Sequence, residues 1–252
     1  MTLSPEEILR YARHIVLREI GGPGQLKLQA AKVLVIGAGG LGSPALMYLA
    51  AAGIGTLGIV DDDTVSISNL QRQIIHATKA VGQAKTDSAK TTLAQINPHV
   101  NLVLHNTRID ATNAAEIIGA YALILDGSDN FDTRYLVNAV CVAQKKPLIA
   151  AAISQWEGQI SLYHPATSGP CYACIFPNRP EPGMVPTCAE AGVMGALPGV
   201  IGSMMAGEVI KFVTGAGQTL QGSLLIYDAL WGESRKLRVE RDPACKMCGQ
   251  EK

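Results

Sequence analysis

The chain has 252 residues, 48% of them hydrophobic and 17% charged, and its 21 basic residues balance its 21 acidic residues. This length suits one large α/β domain or two small ones with a well-packed core. A net charge of zero favours neither a nucleic acid nor a membrane surface as a partner. Because the first residues form no basic, apolar leader, we expect a cytoplasmic protein. We see no linker and predict a single domain over residues 1–252.

Two helices are predicted within the first 31 residues. Apolar residues recur at helical spacing over residues 5–20, and the Gly21-Gly22-Pro23-Gly24 run should end that helix. Residues 25–31 are predicted to form a second short helix that leads into the first strand. Three arginines fall on the first helix, and a solvated surface position is the default expectation for each: Arg10, Arg13 and Arg18.

Residues 32–61 carry the strongest local pattern in the chain. A run of β-formers at 33–36 precedes Gly37-Ala38-Gly39-Gly40-Leu41-Gly42, a helix follows, and a second β-run at 56–60 ends at Asp61. This order of strand, glycine turn, helix, strand and acid is typical of a mononucleotide-binding βαβ unit. The helix start directs free N–H groups at a phosphate, and Asp61 can accept hydrogen bonds from ribose hydroxyls. The alternative is that the glycines only allow close packing of helix on strand.

After Asp61 the chain continues to alternate strands and helices. A polar segment at 62–73 is predicted to form a loop and short helix over the carboxyl ends of the strands, where open α/β sheets bind ligands. Lys85 should begin a helix, and Asp129 should follow a strand at the same edge. The other predicted elements are a strand at 100–105, a helix at 112–119, a strand at 121–125, a helix at 131–144 and a strand at 147–153. Residues 32–153 should therefore form a Rossmann-like, mostly parallel sheet with helices on both faces.

The C-terminal third, residues 154–252, is predicted to be β-rich. A strand at 158–163 directly follows the strand at 147–153, so the two should be antiparallel. The later predicted elements are a Pro-rich loop at 177–186, a helix at 198–214 and strands at 223–228 and 236–240. The first part of this helix lies in an uncharged stretch, residues 191–207. We interpret the stretch as a buried helix and not a membrane span, because Pro198 and five glycines interrupt it and Glu208 and Lys211 follow at once.

Six cysteines without a secretory leader indicate metal ligands or reactive thiols rather than disulfides. Two CxxC pairs can present four thiolates to one tetrahedral zinc ion: Cys171, Cys174, Cys245 and Cys248. The ion would tie the C-terminus back to the body of the fold. The alternatives are unpaired surface thiols and a redox pair, but neither pair is predicted at a strand-to-helix junction that lowers a thiol pKa. Cys141 is predicted to be an inert core residue, and Cys188 either a partly buried loop thiol or an acceptor for an activated acyl group.

The predicted carboxyl edge of the sheet collects polar and charged side chains: Asp61, Asn69, Arg72, Lys85 and Asp129. A dinucleotide-dependent oxidoreductase has no use for an arginine, a lysine and a second aspartate there, whereas a nucleoside triphosphate site does. Guanidinium and ammonium groups neutralise phosphate charge, and a carboxylate can hold Mg²⁺. None of the five histidines falls in a catalytic motif, so a surface or core role is the default for each. An ATP site without its own nucleophile suits adenylation, in which a substrate carboxylate attacks the α-phosphate.

The motifs together resemble one family over nearly the whole chain. They are RxxR at 10–13, GAGGLG at 37–42, Asp61, SNLQRQ at 68–73, GQAK at 82–85, DGSDN at 126–130, Thr133-Arg134 and the two CxxC pairs. This combination is similar to the ubiquitin-activating-enzyme-like adenylyltransferases of bacterial sulfur transfer, the MoeB/ThiF/HesA family. The resemblance implies ATP-dependent adenylation of the C-terminal glycine of a small ubiquitin-like sulfur-carrier protein with a Gly-Gly tail, releasing pyrophosphate.

Carried over motif by motif, the resemblance implies a role for each site residue. The nucleotide would be bound by Gly40, Asp61, Ser68, Asn69, Leu70, Gln71, Arg72, Lys85, Asp129 and Asn130. Asp61 would hold the ribose, and Asp129 would be the essential acid, acting through Mg²⁺ beside the catalytic Arg72 and Lys85. Arg13 would reach across a homodimer interface into the partner's site. The four CxxC cysteines would bind Zn²⁺, and a crossover loop at 176–188 would cover the carrier tail.

Within the family, the favoured branch activates the small subunit of molybdopterin synthase in molybdenum cofactor biosynthesis. The alternative branch adenylates the thiamine-pathway carrier and uses a cysteine matching Cys188 to deliver sulfur. No rhodanese domain is recognised after the second CxxC pair, so a separate protein is expected to donate the sulfur. Two other classes stay open: the oxidoreductase, and a non-catalytic zinc-stabilised module that binds a ubiquitin-like partner.

Overall fold

The computed structural model describes residues 2–181, 184 and 188–249. The α-helices in that part are α1 (Pro5–Arg10), α2 (Ala12–Ile15), α3 (Gly21–Ala30), α4 (Gly42–Ala51), α5 (Lys85–Ile96), α6 (Ala114–Gly119), α7 (Phe131–Ala143), α8 (Tyr172–Ile175), α9 (Cys188–Ala191) and α10 (Leu197–Thr214). The strands are β1 (Lys32–Ile36), β2 (Thr56–Val60), β3 (Asn101–His105), β4 (Leu123–Asp126), β5 (Leu148–Ser154), β6 (Glu157–Tyr163), β7 (Ser223–Asp228) and β8 (Glu233–Arg238).

The eight strands form one sheet in the order β3-β2-β1-β4-β5-β6-β7-β8. Strands β1 to β5 are parallel, and β5 to β8 are antiparallel neighbours. The predicted Rossmann-like sheet with an antiparallel continuation is therefore confirmed. The chain leaves β1 toward β2 and β3 on one side, then crosses to β4 on the other. That reversal makes the carboxyl end of β1 the topological switch point, where such sheets bind ligands.

The sheet is covered on both faces, as the alternating pattern predicted. Successive side chains of a strand point to opposite faces, and β1 divides accordingly. Val33 and Val35 join a buried cluster with α4 and α10. Leu34 and Ile36 join a second cluster with α6 and α7. A central strand that is apolar on both faces is what a covered parallel sheet requires.

Helix α10 is a core helix. Among the described residues it is the one helix long and apolar enough to cross a membrane, and half of it is buried inside the protein. Its fully buried residues include Leu197, Ile201, Met205 and Val209. They pack against α4 and against β5 and β6, as expected for the buried helix predicted here.

The N-terminal prediction was wrong in two respects. Residues 5–20 contain two helices, α1 and α2, because the chain bends at Tyr11, whose buried hydroxyl accepts a hydrogen bond from Asn97 Nδ2 at 2.8 Å. The Gly21–Gly24 run begins α3 instead of ending a helix. Pro23 fits there because the first turn of a helix does not need the missing N–H.

The last strand also begins earlier than predicted. β8 covers Glu233–Arg238, whereas the sequence pattern favoured 236–240. Asp228 of β7 pairs with Glu233, so the register of the hairpin is set by the turn between them. The other predicted boundaries shift by only one or two residues.

Candidate functional site

The glycine turn joins β1 to α4 at the switch point. Gly37 has a φ of 91°, and a Cβ on Gly42 would lie 1.8 Å from the Gly37 carbonyl oxygen, so both positions require glycine. Within the described part of the chain, the N–H groups of Gly39, Gly40, Leu41 and Gly42 have no hydrogen-bond acceptor. Unpaired N–H groups at the start of a helix form an anion-binding site.

We expect Gly42→Ala to destabilise the fold by more than about 3 kcal/mol, above the ~1–3 kcal/mol of ordinary overpacking, because the methyl group meets backbone. Gly207→Ala in α10 is the matched control. Apart from the neighbouring residues and backbone of its own helix, no atom lies within 4 Å of its added methyl group, and alanine should stabilise a helix interior by about 0.5–1 kcal/mol. Thermal unfolding compares the two variants. Wild-type stability in Gly42→Ala would contradict the packing of the turn.

Asp61 lies on one side of the glycine turn, directly after β2. Its Oδ2 accepts a hydrogen bond from the Ala38 N–H at 2.8 Å, and its Oδ1 accepts one from the Asp63 N–H at 2.9 Å. Burial raises the pKa of Asp61, and the positive charge of Lys85 opposes that shift. A carboxylate has about four acceptor positions, so Asp61 holds the turn and still has lone pairs for ribose hydroxyls.

Lys85 forms part of the wall beside Asp61. Its Nζ donates to Asp63 Oδ2 at 2.8 Å, and the lysine side chain is only 7% exposed whereas that of Asp63 is 67% exposed. Lys85 is the first residue of α5, and its own backbone N–H donates to the Asp63 carbonyl oxygen at 2.9 Å. This bond fixes the position of the Lys85 backbone. A buried ammonium held by a single exposed carboxylate is available to a phosphate that enters the site.

The segment after β2 brings Arg72 to the glycine turn. A Cβ built on Gly40 would lie 3.9 Å from Cγ of Arg72, and the Arg72 guanidinium donates to the Ser68 carbonyl oxygen at 3.0 Å. Asn69 ends a short 3₁₀ helix and accepts a hydrogen bond from the Ser66 N–H at 3.1 Å. Asn69, Leu70 and Arg72 are half-buried, and Ser68 and Gln71 are exposed.

The loop after β4 lies on the other side of the turn. The backbone of Ser128 is held on both sides, since its N–H donates to Asp126 Oδ1 at 2.9 Å and its carbonyl oxygen accepts from Arg134 Nη2 at 2.5 Å. Burial raises the pKa of Asp126, with Arg134 opposing. The next residue, Asp129, is exposed. Asn130 caps α7 by accepting from the Thr133 N–H at 2.9 Å.

Asp126 and Arg134 were quoted in motifs but given no role by the sequence argument. Arg134 is 7% exposed, and its second guanidinium nitrogen donates to the Ala151 carbonyl oxygen at 2.9 Å. The two side chains therefore hold the backbone that carries Asp129. An arginine on the buried face of a helix is the signal that could have identified this role, because such a charge needs partners.

Arg13 does not join these residues within one protomer. Its neighbour Arg10 donates to the Ile96 carbonyl oxygen at 2.9 Å, at the end of α5. Because α5 begins at the carboxyl edge of the sheet and runs away from it, the exposed Arg13 lies toward the opposite edge. Gly40, Asp61, Arg72, Lys85 and the Asp129 loop, by contrast, surround one glycine turn.

The two CxxC pairs converge on one point. The sulfur atoms of Cys171, Cys174, Cys245 and Cys248 lie within 4.8 Å of one another. Three of the Sγ–Sγ distances are 3.7, 3.8 and 3.4 Å. Zinc–sulfur bonds of about 2.3 Å in a tetrahedron place sulfurs about 3.8 Å apart, whereas a disulfide needs about 2.05 Å. The cluster therefore fits a tetrathiolate metal site, and the first pair begins the short helix α8 without a strand directly before it.

Burial opposes ionisation in this cluster. It raises the pKa of Cys248 to about 11 and also raises the pKa of Cys171. Burial acts on Cys245 too, but N–H groups of Cys248 and Met247 lower the pKa of that thiol. Metal binding would therefore displace protons. Cys141 is buried in the core, as predicted, and burial raises its pKa.

The start of the predicted crossover loop is anchored to α7. The Tyr135 hydroxyl donates to the Phe176 carbonyl oxygen at 2.7 Å. Arg179 pairs with Asp132, and its guanidinium lies 5.1 Å from the centroid of the Tyr135 ring. Residues 182–183 and 185–187 of the loop lie outside the described residues, as does the side chain of Cys188 at the start of α9.

Comparison with known proteins decides the family. The model of the ThiF family matches residues 11–247. The chain belongs to the ThiF family. This confirms the resemblance inferred from the motifs, and it accounts for the joint presence of the glycine turn, the SNLQRQ segment and the DGSDN loop.

Relatives of this ThiF-family chain are named as adenylyltransferases or as an activating enzyme. It is 48% identical over 255 residues to the sulfur carrier protein adenylyltransferase of Thermus thermophilus, covering 100% of this chain and 94% of that protein. It is 44% identical to the SAMP-activating enzyme E1 of Haloferax volcanii, covering 99% and 92% of the two chains. It is 49% identical to the probable adenylyltransferase/sulfurtransferase MoeZ of Mycobacterium tuberculosis, covering 96% of this chain and 62% of that longer protein.

Solved structures show the same fold at lower identity. Escherichia coli MccB with MccA-N7isoASN superposes with a TM-score of 0.86 at 23% identity, covering 96% of this chain and 75% of that one. The same protein with ATP gives a TM-score of 0.81 at 24% identity, covering 90% and 70%. The ThiF-family sheet and its switch point are thus shared with these proteins.

Proposed function

We propose that this chain is an adenylyltransferase that uses ATP to activate the C-terminal glycine carboxylate of a small ubiquitin-like sulfur-carrier protein. The observation that carries the proposal is the unpaired N–H set of the glycine turn, with Asp61, Lys85, Arg72 and the Asp129 loop around it. Extensive identity with the T. thermophilus sulfur carrier protein adenylyltransferase, along nearly the full length of both chains, supports the same conclusion.

The reaction needs no nucleophile from this chain. An oxygen of the carrier's carboxylate forms a bond to the α-phosphorus, the bond from that phosphorus to the bridging oxygen breaks, and pyrophosphate leaves. The glycine-turn amides would bind phosphate oxygens, and Arg72 and Lys85 would neutralise the charge on the leaving group. Lys85 would exchange its contact with Asp63 for the phosphate.

Asp129 and Asp61 complete the proposed site. Asp129 would hold Mg²⁺, which neutralises triphosphate charge when bound. The Asp129 carboxylate is exposed, so it is accessible to a metal ion that binds with the nucleotide. Asp61 would bind the ribose, and Ser68 to Gln71 and Asn130 would line the nucleotide.

The proposal is tested by mixing the protein with ATP, Mg²⁺ and each candidate carrier, followed by mass spectrometry of the carrier. We expect an acyl-adenylate on the wild-type carrier and none on a carrier that lacks its terminal glycine. Pyrophosphate release measured in parallel should depend on the carrier. Absence of adenylate with every carrier, in protein that binds ATP, would contradict the proposal.

The finer assignment is to the molybdenum cofactor branch, with the small subunit of molybdopterin synthase as carrier and a sulfur-donor protein as a further partner. Adenylation of the thiamine-pathway carrier is the alternative, and the same assay separates them by the ratio of kcat/KM for the two carriers. Tight NAD binding without ATP–pyrophosphate exchange would favour an oxidoreductase. Carrier binding without any adenylate would favour a non-catalytic docking module.

We further propose a homodimer in which Arg13 acts in the partner's site. Arg13 is exposed and lies toward the sheet edge opposite its own nucleotide site. Large apolar side chains on the same N-terminal segment are also exposed, as expected of an interface: Ile8, Leu9, Val16 and Leu17. Such side chains are a signature of a protein contact when they form a patch.

Arg13→Ala and Asp129→Ala are each expected to be inactive, and mixing them should restore activity. In a symmetric dimer that exchanges subunits, half of the dimers are mixed, and each has one site with both residues intact. About a quarter of the wild-type sites should then work. Steady-state adenylation after subunit exchange measures this. No recovery in a mixture whose exchange is verified by mass spectrometry would contradict action across the interface.

Cys188→Ala is expected to keep at least about half of the wild-type rate of adenylate formation, since the attacking group belongs to the carrier. Any later thioester or acyl transfer to this chain should be lost. A carrier-dependent pyrophosphate assay and intact-protein mass spectrometry measure the two steps separately. Loss of the first step in a folded variant would contradict this division of roles.

A further inference from the structure

Both ring nitrogens of His76 form hydrogen bonds inside the protein. The residue is 7% exposed; Nε2 lies 2.9 Å from the Ala38 carbonyl oxygen and Nδ1 lies 2.9 Å from Ser88 Oγ. A carbonyl oxygen only accepts, so Nε2 carries the hydrogen. In the neutral ring Nδ1 then accepts from the Ser88 hydroxyl. Burial lowers the pKa of His76, the hydrogen bond to the Ala38 carbonyl oxygen opposes that shift, and the charge of Lys85 adds to it.

The Ala38 carbonyl group, to which His76 donates, belongs to the glycine turn. In a regular helix the Ala38 carbonyl oxygen would accept from the N–H of Gly42, four residues later. That bond is absent here, and the Gly42 N–H has no acceptor within the described residues. The N–H of Ala38 itself donates to Asp61 at 2.8 Å. The Ala38 carbonyl oxygen is thus paired with the His76 ring, while the Gly42 N–H has no acceptor there and can bind an anion.

The second nitrogen connects the turn to the helix that carries Lys85. Ser88 is buried and lies in the first turn of α5, which begins at Lys85. Residues three apart lie on the same face of a helix. One imidazole therefore joins the glycine turn to the element that sets the position of the ammonium group.

We propose that His76 is a positioning residue for nucleotide phosphates, which holds the Ala38 carbonyl away from the Gly42 amide and couples the glycine turn to α5. The inference rests on the proposed nucleotide site, but it concerns a residue that does not itself touch the nucleotide. If His76 is only a core filler, any side chain of similar volume should serve equally well.

The test compares His76→Leu, which fills a similar volume without hydrogen bonds, with His76→Gln, whose amide can still donate to the Ala38 oxygen. Dissociation constants for ATP and for adenosine are measured without carrier. We expect His76→Leu to weaken ATP about tenfold and adenosine less than about twofold, because adenosine has no phosphate. His76→Gln should recover most of the ATP affinity. ¹⁵N NMR of the wild type should show a neutral ring protonated at Nε2.

Equal loss for both ligands, or ATP binding by His76→Leu within twofold of wild type, would overturn the proposal. If His76→Leu does not fold, Ser88→Ala decides, with Thr91→Ala as the control that removes an exposed hydroxyl from the same helix. A selective fall in ATP affinity in Ser88→Ala supports the coupling, and an unchanged ratio of the two affinities overturns it. Wild-type protein that binds ATP but makes no adenylate would contradict the proposed function without contradicting the role proposed for His76.

Discussion

Asp129→Ala is expected to lower carrier-dependent pyrophosphate release by about 10³-fold or more while the melting temperature stays within about 2 °C of wild type. The fold does not need this side chain, because Asp129 is exposed and its loop is held by the backbone contacts of Ser128 with Asp126 and Arg134. The proposed reaction would need it to hold Mg²⁺, because an uncompensated triphosphate resists attack by a second anion. The assay is initial-rate pyrophosphate release at saturating ATP, with melting followed by calorimetry.

Asp87→Ala is the matched control for this variant. Asp87 is also an exposed carboxylate, and it lies two positions after Lys85 on α5. It should change the rate less than about twofold if the effect of Asp129 is local and not a matter of net charge. Near-normal activity in Asp129→Ala would remove the assignment of the essential acid. A comparable loss of activity in Asp87→Ala would show that the effect of Asp129→Ala is a general effect of net charge.

We propose that the four-cysteine cluster holds a structural zinc ion, and removing that ion should be the largest perturbation of stability. Structural zinc supplies about 10–16 kcal/mol in small zinc-binding peptides; here the sheet has its own core, so we expect a loss of at least about 4 kcal/mol and a fall in melting temperature of roughly 10 °C or more. The reason is geometric, since the four sulfurs join the segment after β6 to the turns after β8. Calorimetry before and after chelation, with metal content measured by mass spectrometry, gives the result.

After the metal is removed, the backbone around the four cysteines should be the part of the protein that becomes more accessible to solvent. Hydrogen exchange at residues 171–175 and 242–249 should rise strongly after chelation or in Cys248→Ser, whereas β1 to β4 stay protected. Cys141→Ala removes a buried thiol outside the cluster and should cost only about 1 kcal/mol. An unchanged melting temperature in fully metal-free protein would show that the four sulfurs are not a structural site.

Much of the candidate nucleotide site could be predicted from the sequence, because its signals are local. Gly37 and Gly42 are needed by a turn of six residues, whose backbone conformation and close approach no other residue permits. The alternation of apolar runs over residues 32–153 predicts parallel strands whose carboxyl ends meet at one edge. Asp61, Lys85 and Asp129 follow from their places at strand and helix ends. The role proposed for Asp61 came from the βαβ motif, and the phosphate-binding roles came from the chemistry of the charged groups. The family resemblance added the proposal that Asp129 is the essential acid.

Only the tertiary structure decided which distant side chains hold that site together. Asp126 and Arg134 form hydrogen bonds with the backbone of Ser128, and His76 pairs with the carbonyl oxygen of Ala38, 38 positions away. Periodicity carries no information about such pairs. The same limit explains the errors at Tyr11 and β8, where a long-range hydrogen bond to Asn97 and a hairpin register overrode the local pattern. Local backbone preference depends on a few neighbouring residues, whereas contacts between elements depend on how the whole chain packs.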